Sequence, residues 1–132
     1  EMLKVVVAAD ESAYQANADL AALLLAQGDT AGAMDAMERA VYINPFAPEM
    51  HAALAALAAL RGDHARRVRE REAVVALDPV DKAEALYQLA LAQRDAGDLV
   101  KAKGAVLRAL EDAPNFGKAQ DLLLALVDGR KP

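Results

Sequence analysis

Apolar residues return at helical spacing along the chain, as in Leu20 and Leu24 followed by Ala33, Met37 and Ala40. The pattern is cut at regular intervals. Gly28-Asp29, Gly62-Asp63 and Gly97-Asp98 stand 34 and 35 residues apart, and Pro45, Pro79 and Pro114 follow them at one fixed distance. Two independent markers sharing one period indicate a single supersecondary unit present in three copies.

Within each copy the order reads helix, tight turn, helix. Glycine adopts the open or left-handed backbone that ends the first helix, and aspartate caps the second by accepting from its free N–H groups. Proline then removes a donor and stops that second helix. Ser12 with Gln15 and Asp81 with Glu84 have the spacing of capping boxes, and Pro48 suits a first helical turn. These signals predict helices near 12–27, 30–43, 48–61, 64–77, 82–96 and 99–112, with a seventh near 116–128 ending at Gly129.

The beginning echoes the interior. Val6-Val7-Ala8 before Asp10 matches Val74-Val75-Ala76 before Asp78, two periods of 34 later. Residues 1–11 are therefore expected to form the tail of a preceding repeat or a separate N-terminal cap helix. On the first reading the chain is a piece of a longer protein, and Leu3, Val6 and Val7 expose an apolar face open to self-association.

A 34-residue helical pair with small, bulky and proline residues so placed resembles the tetratricopeptide repeat. In the first unit Asn17, Leu20-Ala21 and Leu24 stand at first-helix positions, followed by Ala33, Met37, Ala40 and Pro45. In the third unit Leu86, Leu89-Ala90, Ala102, Val106, Ala109 and Pro114 do the same, with Gln93 in place of an aromatic. The second unit departs most: His51 and Ala58 replace bulky residues, and Arg67 and Arg71 replace a small and an aromatic one. The resemblance implies units at 14–47, 48–81 and 83–116, with Lys82 inserted and a capping helix and tail over 117–132. It implies an all-α, right-handed superhelical solenoid of antiparallel helix pairs, about seven helices plus a partial N-terminal one.

In the resembled family the first helices line a concave groove. The matching positions here are Gln15, Ala18, Ala22, Leu25, Glu49, Ala52, Ala56, Ala59, Glu84, Tyr87, Leu91 and Arg94, extended by Lys118 and Asp121. Alanine at the centre makes an apolar trough that admits a peptide or helix closely, although helix propensity and tight packing also favour alanine there. Tyr87, Leu91 and Leu25 are the expected anchors. Family members that hold a chaperone's C-terminal carboxylate use Lys, Arg and Asn at positions that here carry Ala18, Ala22, Ala53, Glu84 and Gln88, so that clamp is not expected.

Composition narrows the chemistry. The chain is 55% hydrophobic and 4% aromatic, with no Trp, which suits close helix packing. Fifteen basic residues against twenty acidic ones give a net charge of -5, no footprint for phosphate backbones and few rings for bases to stack on. Nucleic acid is an unexpected partner. The strip Arg61, Arg66, Arg67, Arg69 and Arg71 is interleaved with Glu70 and Glu72, and reads as a solvated, salt-bridged face or as a dock for an anion or acidic partner.

Cysteine is absent, so neither disulfides nor thiolate metal sites arise, and cytoplasm and periplasm stay open for a soluble chain. The apolar run Ala52 to Leu60 is far shorter than the roughly 20 residues that span a bilayer, and no basic leader opens the sequence. His51 and His64 lack a ligand cluster or catalytic motif, and Asp78, Asp81 and Glu84 fit turn, cap and groove roles. No enzyme activity and no cofactor are expected. The function expected is binding of a protein or peptide in the groove; the alternatives are an accessory region of a larger enzyme and a homo-oligomer built through open repeat ends.

Overall fold

A computed structural model describes the backbone of residues 2–129 and side chains from Ala9 to Gly129. Among the described residues seven helices follow one another: α1 (Met2–Ala26), α2 (Thr30–Ile43), α3 (Pro48–Leu60), α4 (His64–Ala76), α5 (Lys82–Asp95), α6 (Leu99–Asp112) and α7 (Gly117–Asp128). No strand occurs among the described residues. α1 packs on α2, α3 on α4 and α5 on α6, while α2–α3, α4–α5 and α6–α7 contacts join these pairs into a helical solenoid.

The turns have the chemistry that the repeated Gly-Asp suggests. Gly28, Gly62 and Gly97 have φ of +80°, +72° and +88°, a left-handed backbone that costs glycine little. The next N–H closes the helix end by reaching five residues back: Asp29 to the Leu24 carbonyl, Asp63 to Ala58 and Asp98 to Gln93, at 2.8 to 2.9 Å. The same aspartates then cap the following helices. Their carboxylates accept from the N–H of Gly32, Arg66 and Lys101 at 2.8, 3.1 and 3.1 Å. Asp81 does likewise for Glu84 at 3.0 Å, and Pro48 stands in the first turn of α3.

The N-terminal region differs from the sequence expectation. No separate helix precedes Ser12: α1 runs unbroken from Met2 to Ala26, so Ser12 is interior and caps nothing. The physical reason is a missing breaker. Two periods before Pro79 stands Glu11, and no glycine or proline occurs anywhere in α1. Gln15, the expected capping-box partner, donates instead to Asp19 at 2.8 Å. The side chains of Leu3, Val6 and Val7 lie outside the described residues.

Two apolar cores result. One joins α1, α2 and α3 through Ala21, Met34, Met37, Met50, Leu54 and Leu57, with Tyr14, Ala18 and Leu24 against it. The other joins α5, α6 and α7 through Leu86, Leu89, Val106 and Leu122, with Tyr87, Leu91 and Phe116 against it and Val68 and Val75 reaching in from α4. Alanines at the crossings let the helix backbones approach closely. Between the two cores lies α4, thirteen residues that include four arginines and two glutamates. Only Glu70 and Val74 of it are buried.

Candidate protein-binding groove

Each first helix must bury one stripe on its partner, which leaves the neighbouring stripe of α1, α3 and α5 free. Of the twelve groove positions, Gln15, Ala22, Leu25, Glu49, Ala56 and Ala59 are exposed, and Ala18, Ala52, Glu84, Tyr87, Leu91 and Arg94 are half-buried. None is buried. Lys118 and Asp121 on α7 are exposed as well. Ala18, Tyr87 and Leu91 also touch the cores, so the free stripe rests directly on packed side chains. Tyr87 is held by Phe116, with ring centroids 5.4 Å apart at 52°.

Polar groups on this stripe are set by neutral donors. The Tyr14 hydroxyl donates to Glu49 across the α1–α3 step at 3.3 Å, a long bond. Gln88 donates to Glu84 at the same distance, and Gln15 to Asp19. Burial raises the Tyr14 pKa, and the Glu49 carboxylate, by its charge and its hydrogen bond, raises it further.

The arginine strip does not form one surface. Arg61 and Arg69 are exposed, whereas Arg66, Arg67 and Arg71 are half-buried between helices. Arg66 pairs with Glu38 on α2 at 3.1 Å and lies 3.7 Å from Glu70. Arg67 donates to Asp95 on α5 at 2.6 Å, and Arg94 meets the same carboxylate at 2.9 Å. Burial alone would raise the Asp95 pKa, but the hydrogen bonds and charges of Arg67 and Arg94 outweigh it and hold the carboxyl below its usual value. Arg71 is lowered by burial and by the Arg67 charge, with Glu84 opposing, and its Nε finds no hydrogen-bond partner among the described residues.

His51, at a bulky position of the second unit, is buried and hydrogen-bonded at both nitrogens. Nε2 lies 2.7 Å from the Pro45 carbonyl and Nδ1 lies 3.0 Å from Glu70 Oε1. A carbonyl only accepts, so Nε2 carries a proton; the Nδ1 contact then requires a second, on the imidazole or on the carboxyl. Both nitrogens are thus engaged within the fold. His64 is exposed in the first turn of α4, beside the cap Asp63.

Glu70 is the buried polar residue that sequence reasoning passed over. One period away in each direction stand Ala36 and Ala105, both buried. An acid at a place held by alanine in both other copies was the available signal. Among the described residues no group of three His, Cys, Asp or Glu could hold a metal, and no helix is long and apolar enough to cross a membrane.

No family model matches the sequence, and no curated protein matches it significantly. Solved structures do. The N-terminal domain of stress-induced protein-1 from C. elegans is 20% identical, with a TM-score of 0.75, over 89% of this chain and 97% of that one. The first TPR of Spaghetti (RPAP3), solved with the HSP90 peptide SRMEEVD, is 19% identical, with a TM-score of 0.70, over 89% and 93%. An O-GlcNAc transferase from Thermobaculum terrenum is 24% identical, with a TM-score of 0.63, over 89% of this chain but only 22% of its own. With six helices paired by Gly-Asp turns and a seventh packed on the last pair among the described residues, and such likeness over nearly the whole length, the chain has the tetratricopeptide-repeat fold.

Proposed function

We propose that the chain is a protein-interaction module whose groove, formed by α1, α3 and α5, receives a peptide or helix of another protein. The observation that carries this reading is the unburied alanine stripe, Ala22, Ala56 and Ala59 exposed with Ala18 and Ala52 half-buried, beside the large side chains Leu25, Tyr87 and Leu91. Small residues let a second backbone approach, and rigid large ones contribute most when water is excluded. The peptide bound to the Spaghetti domain supports it by analogy of fold.

The test is occlusion of the trough. Ala22→Arg and Ala56→Arg put bulk on exposed helix positions, so circular dichroism should stay unchanged while a partner cross-linked to the wild type is no longer captured. Equal capture by the variants would sink the reading.

A second reading is supported by the transferase, of which this fold spans a small part. On that reading the module serves a larger enzyme whose catalytic residues lie outside this sequence. A flanking sequence made only of further repeats would remove it.

A further inference from the structure

We propose that the groove selects a cationic segment of a partner protein, with Lys or Arg over the α1–α3 end and aliphatic residues over α5. The proposal rests on the groove reading above and adds the chemistry of the occupant. The charge balance differs between helices. α1 from Ala9 onward and α3 carry Asp10, Glu11, Asp19 and Glu49 with no Lys or Arg, and α5 balances Lys82 and Arg94 against Glu84 and Asp95. The excess of base lies on α4 and α6, where seven Lys and Arg outnumber Glu70, Glu72, Glu111 and Asp112.

These acids and bases are also neutralised differently. Arg66 and Arg67 have carboxylate partners within the fold. Asp19 and Glu49 have no cationic partner among the described residues: their hydrogen bonds come from Gln15 and Tyr14, which fix the carboxylates and leave the negative charge in place. Asp10 and Glu11 border a pocket of about 340 Å³ that the Tyr14 side chain also lines. Carboxylates beside an aromatic side chain suit an ammonium or guanidinium head, and a Lys or Arg stem suits the alanine floor.

At the far end the balance changes. On α5 Glu84 lies within the field of Arg71 and Asp95 pairs with Arg94 and Arg67, so this helix draws a cation less than α1 and α3 do. Tyr87 and Leu91 make that end aliphatic and aromatic. A bound segment is thus oriented, its basic part toward α1 and its apolar part toward α5. An acidic peptide meets like charge at the first end, a repulsion that weakens binding and slows encounter.

The experiment pans a random 12-residue peptide library on phage against the protein, with Ala56→Arg as the groove-blocked control. Peptides that require an open groove and are enriched in Lys and Arg are expected. A synthetic consensus peptide should then lose affinity on the order of tenfold, by anisotropy, when Asp19→Lys and Glu49→Lys are combined, as expected for two partly exposed charge contacts reversed in sign. Asp19→Asn with Glu49→Gln, checked by circular dichroism, should give a smaller loss in the same direction.

Groove-dependent peptides that are neutral or acidic would overturn the cationic proposal and leave the groove reading standing. An absence of groove-dependent peptides would overturn both. A concentration-dependent dimer in light scattering, dispersed by the double reversal, would replace the separate partner with a second copy and so overturn the proposal as well.

Discussion

Replacing His51 with leucine while Glu70 is kept leaves a carboxylate, 4% exposed, with no hydrogen-bond partner and only Arg66 Nε at 3.7 Å. Breaking a buried pair by deleting one member costs about 3–5 kcal/mol, because the survivor keeps its desolvation penalty without compensation. Glu70→Ala is milder, about 1–3 kcal/mol, since a neutral imidazole remains and loses one hydrogen bond. Leucine and alanine are what the third unit places at these positions, as Leu86 and Ala105, both buried in its core. The double substitution His51→Leu with Glu70→Ala therefore converts a polar crossing into the apolar one found one repeat along. It should lie within about 1 kcal/mol of the wild type, as buried ion pairs replaced by packed apolar residues often do. Urea unfolding of the four proteins at neutral pH closes the cycle, and a coupling of at least about 2 kcal/mol is expected. Two single variants that cost less than about 1 kcal/mol each and simply add would show that the pair is not what joins α3 to α4.

The Asp95 carboxyl, held low by Arg67 and Arg94, contributes stability that is complete above its usual pKa of 3.8 and is lost as pH falls through its folded value. Asp95→Asn should accordingly lower the urea midpoint at neutral pH and lose that difference in strong acid; a gap independent of pH would contradict the assignment. Two glycine substitutions should differ in sign although a Cβ meets no atom within 4 Å at either site. Gly62→Ala, at φ +72°, should cost about 1–2 kcal/mol, and Gly104→Ala, inside α6, should gain about 0.5–1 kcal/mol by thermal melting.

What the sequence made legible was what is written locally. Gly28-Asp29, Gly62-Asp63 and Gly97-Asp98 fix a left-handed residue and a cap within two positions, so the starts of α2, α4 and α6 fall where the pairs place them. The first helix was misjudged because Val6-Val7-Ala8 copies an interior motif while Glu11 does not copy its proline, and the absence of a breaker outweighs the resemblance. The twelve positions that the family resemblance assigned to the groove are exposed or half-buried, none buried. The joining of α4 to its neighbours was not legible, because Arg67 and Asp95 are 28 residues apart and His51 and Glu70 are 19 apart, pairings that depend on how helices rotate against one another. Arg67 and Glu70 looked like surface charge; each occupies a place held by buried alanine elsewhere, Ala33 and Ala102 for the first, Ala36 and Ala105 for the second.

Neighbouring bricks in such an array influence one another only through the face they share. The two faces that α4 shares with its neighbours combine apolar packing, indifferent to dissolved ions, with an arginine–carboxylate contact at a partly wet position, Arg66–Glu38 on one side and Arg67–Asp95 on the other. Salt weakens the second kind of fastening and spares the first. Ionic strength thereby becomes a dial on how firmly α4 ties together the pairs on either side of it.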